Sequence, residues 1–301
     1  MKILKGGKQW DVILEDCIEH MAKMPPHSID FSIFSPPFPS LFSYTDQNCD
    51  IGNSESFQGD AKLHLFWFIR GLFPLIKPGR VVIIHCQNIA GKKRCGELSM
   101  IDLRGLIIRL GKRAGFIYDS DWAVTKNPQS QAIRTRSTKL QFTHLERDRA
   151  GSAPAMSDFL IKLRAPGDND IPIQGNPLTR NEWIEWAEGV WDWRTIRETD
   201  TLNTKAAKGK DDTRHICPLQ LPVIRRCVRL YSNPDDIVFS PFAGIGSEGY
   251  VSLLEGRRFY GCEIKPEYHK QAKKNLNVAE KHDEYQLALF QDKPSCQKTT
   301  V

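Results

Sequence analysis

The chain has 301 residues, of which 40% are hydrophobic, so it is long enough to bury a substantial core in one principal domain. Its 42 lysines and arginines exceed its 36 aspartates and glutamates, and the net charge of +6 is compatible with a polyanionic partner. The sequence has neither a signal-peptide core nor the ~20 consecutive apolar residues of a membrane helix, and its eight cysteines lack the spacing of a zinc site. These features argue against membrane and disulfide-rich secreted classes, and we expect a soluble cytoplasmic protein without a metal.

Strand and helix patterns alternate along the first half of the chain. They predict strands at residues 11–14, 30–34, 81–86, 116–124 and 158–163, and helices at 61–73 and 98–114. This alternation is typical of an α/β protein with a mostly parallel sheet and helices on both faces. Pro74 and the sequence Lys77-Pro78-Gly79 are expected to separate the first of these helices from the strand that follows.

Three stretches interrupt the alternation. Residues 39–60 are rich in Ser, Asp, Asn and Gly and are predicted to form a long loop of the kind that acts as a lid. Residues 129–151 are polar and basic, which makes them candidates for contact with a phosphate backbone. Residues 165–213 contain four tryptophans, which we expect to form a satellite core in a small subdomain or insertion, with a base-stacking surface as the alternative.

Regular patterns return after Pro218. A helix over about 221–230, a strand at 237–240, a glycine turn into a second helix and a strand at 258–263 are predicted in that order. Pro266 then occupies the favoured first position of a further helix. The polar residues 284–301 are predicted to form a frayed tail.

The glycine turn reads Pro241-Phe242-Ala243-Gly244-Ile245-Gly246, and Glu263 ends the next predicted strand. Such a turn lets the backbone approach a ligand closely, and an acidic residue at the neighbouring strand end can accept hydrogen bonds from both ribose hydroxyls. These features indicate a site for a nucleoside cofactor. With Gly249 the spacing also matches a dinucleotide fingerprint, but dehydrogenases usually carry that turn in their first βαβ unit, whereas here it lies late in the chain.

A second motif, Ser35-Pro36-Pro37-Phe38, follows the predicted strand at 30–34, at the strand end where open α/β sheets bind ligands. The amino group of a nucleobase is a weak nucleophile because its lone pair is delocalised. The Ser35 hydroxyl and the Pro36 carbonyl can accept its two N–H bonds and hold the nitrogen in a more reactive geometry, while Phe38 can stack on the base. The alternative interpretation is a rigid structural loop.

Together these motifs resemble those of the S-adenosylmethionine-dependent amino-methyltransferases of DNA, in the permuted β group. In that family a catalytic S/D/N-P-P-Y/F loop precedes an F-x-G-x-G loop, as 35–38 precedes 242–246 here. Further matches are Leu75-Ile76-Lys77-Pro78-Gly79, Trp122 with Lys126, and the run from His215 to Pro234. The resemblance covers most of the chain except 39–60 and about 128–213. It implies a Rossmann-like fold with a circularly permuted motif order and a variable insertion.

The resemblance also implies roles for individual residues. The catalytic loop consists of Ser35, Pro36, Pro37 and Phe38. The cofactor S-adenosyl-L-methionine is implied to contact Asp16, His215, Pro218, Leu219, Ser240, Pro241, Phe242, Ala243, Gly244, Gly246, Ser247 and Glu263. Ser240 departs from the family, which usually has an acidic residue at that position. No charge contact to the methionine amino group is therefore expected from Ser240.

Double-stranded DNA is the implied substrate, and the target base must leave the duplex to reach the catalytic loop. Candidate DNA-binding residues are Lys126, Arg134, Arg136, Lys139, Arg147 and Arg149. The implied organisation is a catalytic half (1–164), a variable insertion that is a candidate for target recognition (165–213), a cofactor-binding half (214–283) and a tail (284–301). A homodimer and a cognate restriction nuclease are further partners that the resemblance leaves open.

Within the family, serine at the first loop position is more often seen with methylation of cytosine N4, and aspartate with adenine N6. Ser35 therefore favours cytosine and leaves adenine as the alternative. Two other hypotheses stay open: a DNA-binding protein that keeps the fold without turnover, and methylation of RNA or of a protein glutamine. His64, His85 and His144 have no metal-like partners in the sequence and are interpreted as structural.

Overall fold

The structure is a computed structural model, and it describes residues 3–4, 7–39, 50–53, 59–90, 100–135, 138–174, 178–204 and 218–291. Two predicted site residues, Arg136 and His215, and most of the predicted lid at 39–60 lie outside these ranges. Within the described ranges, no helix is long and apolar enough to cross a membrane. The same residues contain no group of three or more His, Cys, Asp or Glu side chains placed to hold a metal ion.

Ten short strands are found in the described part of the chain. In chain order they are β1 (Trp10–Leu14), β2 (Ile29–Phe34), β3 (Ile76–Gln87), β4 (Ile89–Ala90), β5 (Met100–Ile101), β6 (Ile117–Val124), β7 (Asp158–Arg164), β8 (Val190–Trp191), β9 (Ile237–Ser240) and β10 (Arg258–Glu263). Eight of them form one sheet in the order β1-β10-β9-β2-β3-β7-β6-β8, and β4 pairs with β5. All pairings in the large sheet are parallel except those of β7, which is antiparallel to β3 and β6. The predicted mostly parallel sheet is confirmed.

Helices lie on both faces of this sheet. They are α1 (Cys17–Met21), α2 (Asp60–Leu72), α3 (Leu103–Ala114), α4 (Pro128–Thr135), α5 (Phe142–Glu146), α6 (Arg180–Ala187), α7 (Leu221–Tyr231), α8 (Ser247–Leu254) and α9 (Pro266–Gln291). The last of them continues past residue 284, where the sequence predicts the start of a frayed tail.

Side-chain alternation along the central strands divides the core into two layers. Ile29 and Phe34 of β2 pack with α2 and α3, whereas Phe31 and Ile33 pack with α7 and α8 on the other face. Successive side chains of a strand point to opposite faces, so a parallel strand buried on both sides is apolar along its whole length. Burying each such side chain contributes about 1.5–3 kcal/mol to the stability of the fold. Strand β2 therefore stabilises both layers of the core.

Strand β3 is longer than the sequence predicts. It begins at Ile76 and continues through Pro78 and Gly79, which were expected to form a break. The pairing of β3 with β2 shifts register between Ile29 and Phe31, and Gly79 has a φ of 69°. A bulge of this kind accommodates a proline and a left-handed glycine inside a strand, so the local turn signal does not end the strand.

The two irregular stretches contain more structure than predicted. The basic stretch 129–151 holds α4 and α5, and the stretch 165–213 holds α6 and β8. The expected satellite core of tryptophans is wrong for Trp191, which is 2% exposed and packs at 5.8 Å (ring centroids) from Trp122 in the main core. Trp186 is also buried, whereas Trp183 is 59% exposed on α6. Trp191 is part of the core because its strand, β8, pairs with β6 at the edge of the sheet.

One edge of the sheet collects the segments that carry the motifs. The carboxyl ends of β2, β3, β6, β9 and β10 meet at this edge because these strands are parallel. Strand β7 runs the other way, so its first residue, Asp158, lies at the same edge. Functional side chains from distant parts of the sequence are thereby brought together.

Candidate active site

A cavity of about 810 Å³ lies at the carboxyl edge of the sheet, within the size range of small-molecule sites. The proline loop, Ser35 to Phe38, lines one part of it. The glycine loop from Pro241 to Ile245 lines another part, together with Glu263. The two motifs that the sequence singled out therefore open into one shared space.

The two glycines of the turn have different surroundings. Gly244 has a φ of 54°, and an added Cβ there would meet no atom within 4 Å, so the backbone is open toward the cavity. Gly246 has a φ of 85°, and its added Cβ would lie 3.2 Å from the Cα of Ala272 in α9. Gly246 is absent from the cavity lining. It permits the turn into α8 and the close packing of α9, whereas the backbone of Gly244 is the part of the turn that is open to the cavity.

The carboxylate of Glu263 is fixed by the backbone of the loops on either side of it. One oxygen, Oε2, accepts a hydrogen bond from the Gly244 N–H at 2.7 Å, and Oε1 accepts one from the Lys265 N–H at 2.9 Å. Each carboxylate oxygen can accept a second bond, so both remain able to receive a ribose hydroxyl. Burial raises the pKa of Glu263 to about 7 despite these bonds.

Other predicted cofactor residues surround the same part of the cavity. Asp16 lines it and also caps α1, because its Oδ1 accepts from the Ile18 N–H at 2.8 Å. Pro218 and Leu219 line the cavity as well. Phe242 is held in place by the ring of Phe68, with centroids 4.9 Å apart. These side chains form an apolar wall with a carboxylate at one end.

Two serines and a glutamate lie in or next to the glycine turn, and two of these three side chains line the cavity. Ser240 is fully buried, lies outside the cavity lining, and its Oγ has no hydrogen-bond partner. Ser247 lines the cavity, and its buried Oγ also has no partner. Glu248, in the first turn of α8, lines the cavity too, and burial raises its pKa to about 8. The sequence interpretation did not assign Glu248 a role, although its place directly after the glycine loop was a usable signal.

At the other end of the cavity, the catalytic loop contacts a histidine. The Oγ of Ser35 lies 2.9 Å from Nδ1 of His85, and the Phe38 ring stacks on the His85 ring at 6.4 Å between centroids. The sequence interpretation treated His85 as structural. The structure places it in the cavity lining, because β3 runs parallel to β2 and ends beside the loop.

Behind His85 lie a buried carboxylate and an ammonium group. The Nε2 of His85 is 3.1 Å from Oδ2 of Asp158, but the N–H direction is not aligned for a strong hydrogen bond. Lys126 pairs with the same oxygen, and Gln87 donates to Oδ1 at 3.2 Å. Burial alone would raise the pKa of Asp158, but His85 and Lys126 outweigh it and keep this pKa below its usual value. Asp158 is therefore an ionised group at the base of the site.

The candidate DNA-binding residues divide into two groups. Lys126 is only 10% exposed and belongs to the cavity through its pair with Asp158. Lys139, Arg147 and Arg149 are exposed on the segment that holds α4 and α5, and Arg134 lies in α4. Side chains at both ends of this segment, such as Gln131 and Met156, line the cavity. The exposed basic residues are therefore carried by a segment anchored at the mouth of the site.

Comparison with known proteins identifies this arrangement. A family model described as DNA methylase, covering the amino-directed N6 and N4 enzymes, matches residues 29–274. The chain belongs to this family of DNA amino-methyltransferases. It is 41% identical over 296 residues to the DNA adenine methyltransferase YhdJ of Escherichia coli K12, a match that covers 94% of this chain and 88% of that protein. It is 32% identical over 279 residues to the type II methyltransferase M.BglII of Bacillus subtilis, covering 84% of this chain and 65% of that one.

Solved structures of DNA methyltransferases share the fold. The cytosine-N4-specific PvuII DNA methyltransferase superposes with a TM-score of 0.63 at 18% identity, covering 92% of this chain and 90% of that chain. A DNA modification methylase from Thermus thermophilus, in complex with S-adenosyl-L-methionine, gives 0.64 at 21% identity, with coverage of 89% and 95%. The predicted family is confirmed.

The cofactor of this amino-methyltransferase is S-adenosyl-L-methionine, and the cavity fits it. The open side of Gly244 is the cradle that a nucleoside requires, and the carboxylate of Glu263 has free acceptor capacity for ribose hydroxyls. The unpartnered Oγ of Ser247 and the buried carboxyl of Glu248 offer polar groups for the amino-acid end of the cofactor. The polar groups that line this part of the cavity are therefore suited to the cofactor that the family uses.

Proposed function

We propose that this enzyme transfers a methyl group from S-adenosylmethionine to N4 of a cytosine that is flipped out of duplex DNA. One observation carries the proposal: Ser35 and Pro36 face the same cavity as Gly244 and Glu263. An amine acceptor and a nucleoside cradle are thus close enough to serve one reaction. Serine at the first position of the loop supports cytosine as the base, because serine is more often seen there in the cytosine-directed members of the family.

The residues of this chain have distinct roles in that reaction. Asp16, Phe242, Gly244 and Glu263 would hold the cofactor, which supplies an electrophilic methyl group when it is bound. Ser35 Oγ and the Pro36 carbonyl would accept the two N–H bonds of the base, which makes the nitrogen lone pair available for attack. The rate gain would come from holding the reacting atoms in place rather than from a strong base.

Methylation of adenine N6 is the second candidate. The relative from Escherichia coli K12 is named an adenine methyltransferase, and its similarity extends over 94% of this chain. Adenine also presents a planar amine with two N–H bonds, so the same pair of acceptors suits both bases. The PvuII enzyme is named cytosine-N4-specific, but at 18% identity it supports the shared fold only.

Incubation with duplex DNA and methyl-labelled cofactor, followed by digestion to nucleosides, tests the proposal. We expect labelled N4-methylcytosine, whereas labelled N6-methyladenine would replace cytosine by adenine as the target. Absence of label from both nucleosides would contradict enzymatic DNA methylation and favour a binding protein of the same fold. Parallel reactions with RNA and with protein extract check the remaining substrate classes, and Phe38→Ala serves as the inactive control.

We also propose that DNA contacts the segment 128–151 rather than residues 165–190. Lys139, Arg147 and Arg149 are exposed there, and the exposed apolar side chains Ile133 and Phe142 lie among them. Basic residues hold the phosphate backbone, and apolar side chains can enter between unstacked bases.

Residues 165–190 begin at the opposite edge of the sheet. The backbone of Asn169 lies against Gly79 at the start of β3, and the Gln174 N–H donates to Asn233 Oδ1 at 3.0 Å before β9. Both contacts are at the amino ends of parallel strands. Later residues of the predicted insertion, including Glu198 and Thr201, return to the cavity. We therefore assign target recognition to 128–151 and to the residues after β8.

The salt dependence of DNA binding distinguishes these surfaces. The double variant Arg147→Ala/Arg149→Ala should reduce the slope of log K against log salt by about 0.9 for each phosphate that the protein no longer neutralises. The control, Arg180→Ala, removes an exposed positive charge from residues 165–190 and should leave the slope unchanged. Equal slopes for the two variants would contradict the assignment. A homodimer and a cognate nuclease stay predictions, the latter supported by relatives named type II methyltransferases.

A further inference from the structure

A chain of polar contacts extends from the catalytic loop into the sheet. Ser35 Oγ contacts His85 Nδ1 at 2.9 Å, and His85 Nε2 faces Asp158 Oδ2 at 3.1 Å. Lys126 pairs with Asp158 on its far side. The four side chains come from the ends of β2, β3 and β6 and the start of β7. If Ser35 only accepted a hydrogen bond from the target amine, the contacts behind it would not be needed.

The carboxylate determines which nitrogen of His85 carries the proton. Asp158 is ionised and lies 3.1 Å from Nε2 without an aligned hydrogen bond, so it is the negative charge of Asp158 that favours the hydrogen of the neutral ring on Nε2. The Nδ1 atom is then an acceptor, and the Ser35 hydroxyl donates to it. With its own hydrogen directed at His85, Ser35 Oγ turns its lone pairs toward the cavity, where the amine of the base would lie.

We propose that His85 is a positioning residue that orients Ser35 and receives, through Ser35, the proton that the amine loses. This inference rests on the proposed function but applies equally to cytosine and adenine. Methyl transfer breaks a carbon–sulfur bond and forms a carbon–nitrogen bond, and it leaves one proton in excess on the nitrogen. That proton passes to Ser35 Oγ while the Ser35 hydroxyl proton passes to His85 Nδ1. The products are the neutral methylated amine, an intact serine and a protonated His85.

The surroundings of His85 favour this outcome. Asp158 directly faces the ring that becomes positive, and Lys126 balances the carboxylate before the reaction. Phe38, packed on the ring, and Ser35 add no charge. The His85 side chain is 12% exposed, so the proton can return to solvent through the cavity after each turnover.

The variant His85→Gln tests the proposal through the pH profile. In the wild-type enzyme the group that receives the proton has to be free of it beforehand, so the single-turnover rate should fall on the acidic side of the pH profile. His85→Gln should lower this rate by about 100-fold or more and abolish the acidic limb, while the dissociation constant of the cofactor stays unchanged. The matched control is His282→Gln, an exposed histidine of α9. An unchanged rate, or a lower rate with the same pH profile, would overturn the proposal.

The tautomer of His85 gives a second readout that does not depend on turnover. In the protein labelled with ¹⁵N-histidine, the ring signals that disappear in His85→Gln belong to His85. We expect them to report hydrogen on Nε2 in the wild type and loss of that preference in Asp158→Asn. Hydrogen on Nδ1 in the wild type would overturn the proposal even if DNA is methylated. If no base is methylated at all, the proposed function fails, whereas the tautomer is still measurable.

Discussion

The two ends of the cavity are built differently. At the end that we propose for the target amine (the amine end), Ser35, His85, Asp158 and Lys126 form a chain of contacts, and their charges balance. At the cofactor end, the Ser247 Oγ has no partner, and burial raises the pKa values of nearby carboxyl groups. The protein itself balances the charges at the first end, although His85 Nε2 lacks an aligned hydrogen bond, whereas we propose that a ligand completes the second end. Catalytic geometry should therefore exist before binding, and cofactor affinity should depend strongly on ionisation.

The largest expected effect is at the amine end. Replacing Ser35 by Ala removes the acceptor that the rest of the polar chain orients. We expect the single-turnover rate to fall by about 100- to 1,000-fold, the range seen when one preorganised hydrogen-bonding group is removed from an active site. Calorimetric titration should give an unchanged cofactor dissociation constant. A parallel loss of cofactor binding would show that the two ends of the cavity depend on each other.

At the cofactor end, Glu263→Gln should act on binding instead. The substitution removes a charge and places an amide donor against one of two backbone N–H groups, Gly244 or Lys265. Hydrogen bonds to charged groups contribute about 1.5–3 kcal/mol, so the cofactor dissociation constant should rise by about 10- to 100-fold. Glu267→Gln, an exposed neighbour in α9, is the control and should bind like the wild type.

The affinity for the cofactor should depend on pH because two carboxyl groups at the cofactor end have raised pKa values. The pKa values of Glu248 and Glu263 are about 8 and 7, so both are largely protonated at pH 6 and largely ionised at pH 9. Ionised carboxylates attract the positively charged cofactor, and affinity should increase as pH rises through this window. Titrations at several pH values should show a shallower increase for Glu248→Gln. Identical profiles for the variant and the wild type would show that Glu248 does not titrate on binding.

The smallest effect concerns stability without ligand. Because the folded-state pKa of Glu248 is above its unfolded value, the native state holds the extra proton, and stability is lost as pH rises through about 8. The melting temperature of the wild type should fall between pH 6 and pH 9 by a few degrees more than that of Glu248→Gln. Differential scanning calorimetry checks this. A larger fall in the variant would mean that the carboxylate is stabilised in the native state.

The sequence predicted those parts of the molecule that depend on local signals. The strands near 30–34 and 258–263 follow from apolar runs with clear ends, and the proline and glycine loops follow from turn chemistry at strand ends. The family resemblance added the order of the two halves. A single open α/β sheet then suffices to explain why both loops face one cavity.

Contacts between distant segments could not be predicted in the same way. Asp158 reaches His85 only because β7 inserts antiparallel between β3 and β6, and nothing local in either sequence specifies that insertion. The different surroundings of Gly244 and Gly246 depend on α9, which packs against only one of them. Trp191 looked like part of an insertion, and its burial follows from the pairing of β8 with β6. In each case tertiary packing decides what the local pattern leaves undetermined.

The pairing of β1 with β10 has a consequence for synthesis of the protein. Strand β1 has β10 as its neighbour in the sheet. Trp10 in β1 also donates a hydrogen bond of 3.0 Å to Glu280 in α9. At ~5–20 residues per second, a ribosome needs on the order of ten to fifty seconds between making β1 and making its partner. During that interval β1 is without its sheet neighbour, and β2 lacks β9. The emerging chain therefore contains the proline loop long before it contains the glycine loop, and we expect the cavity between them to form only when the sheet is completed.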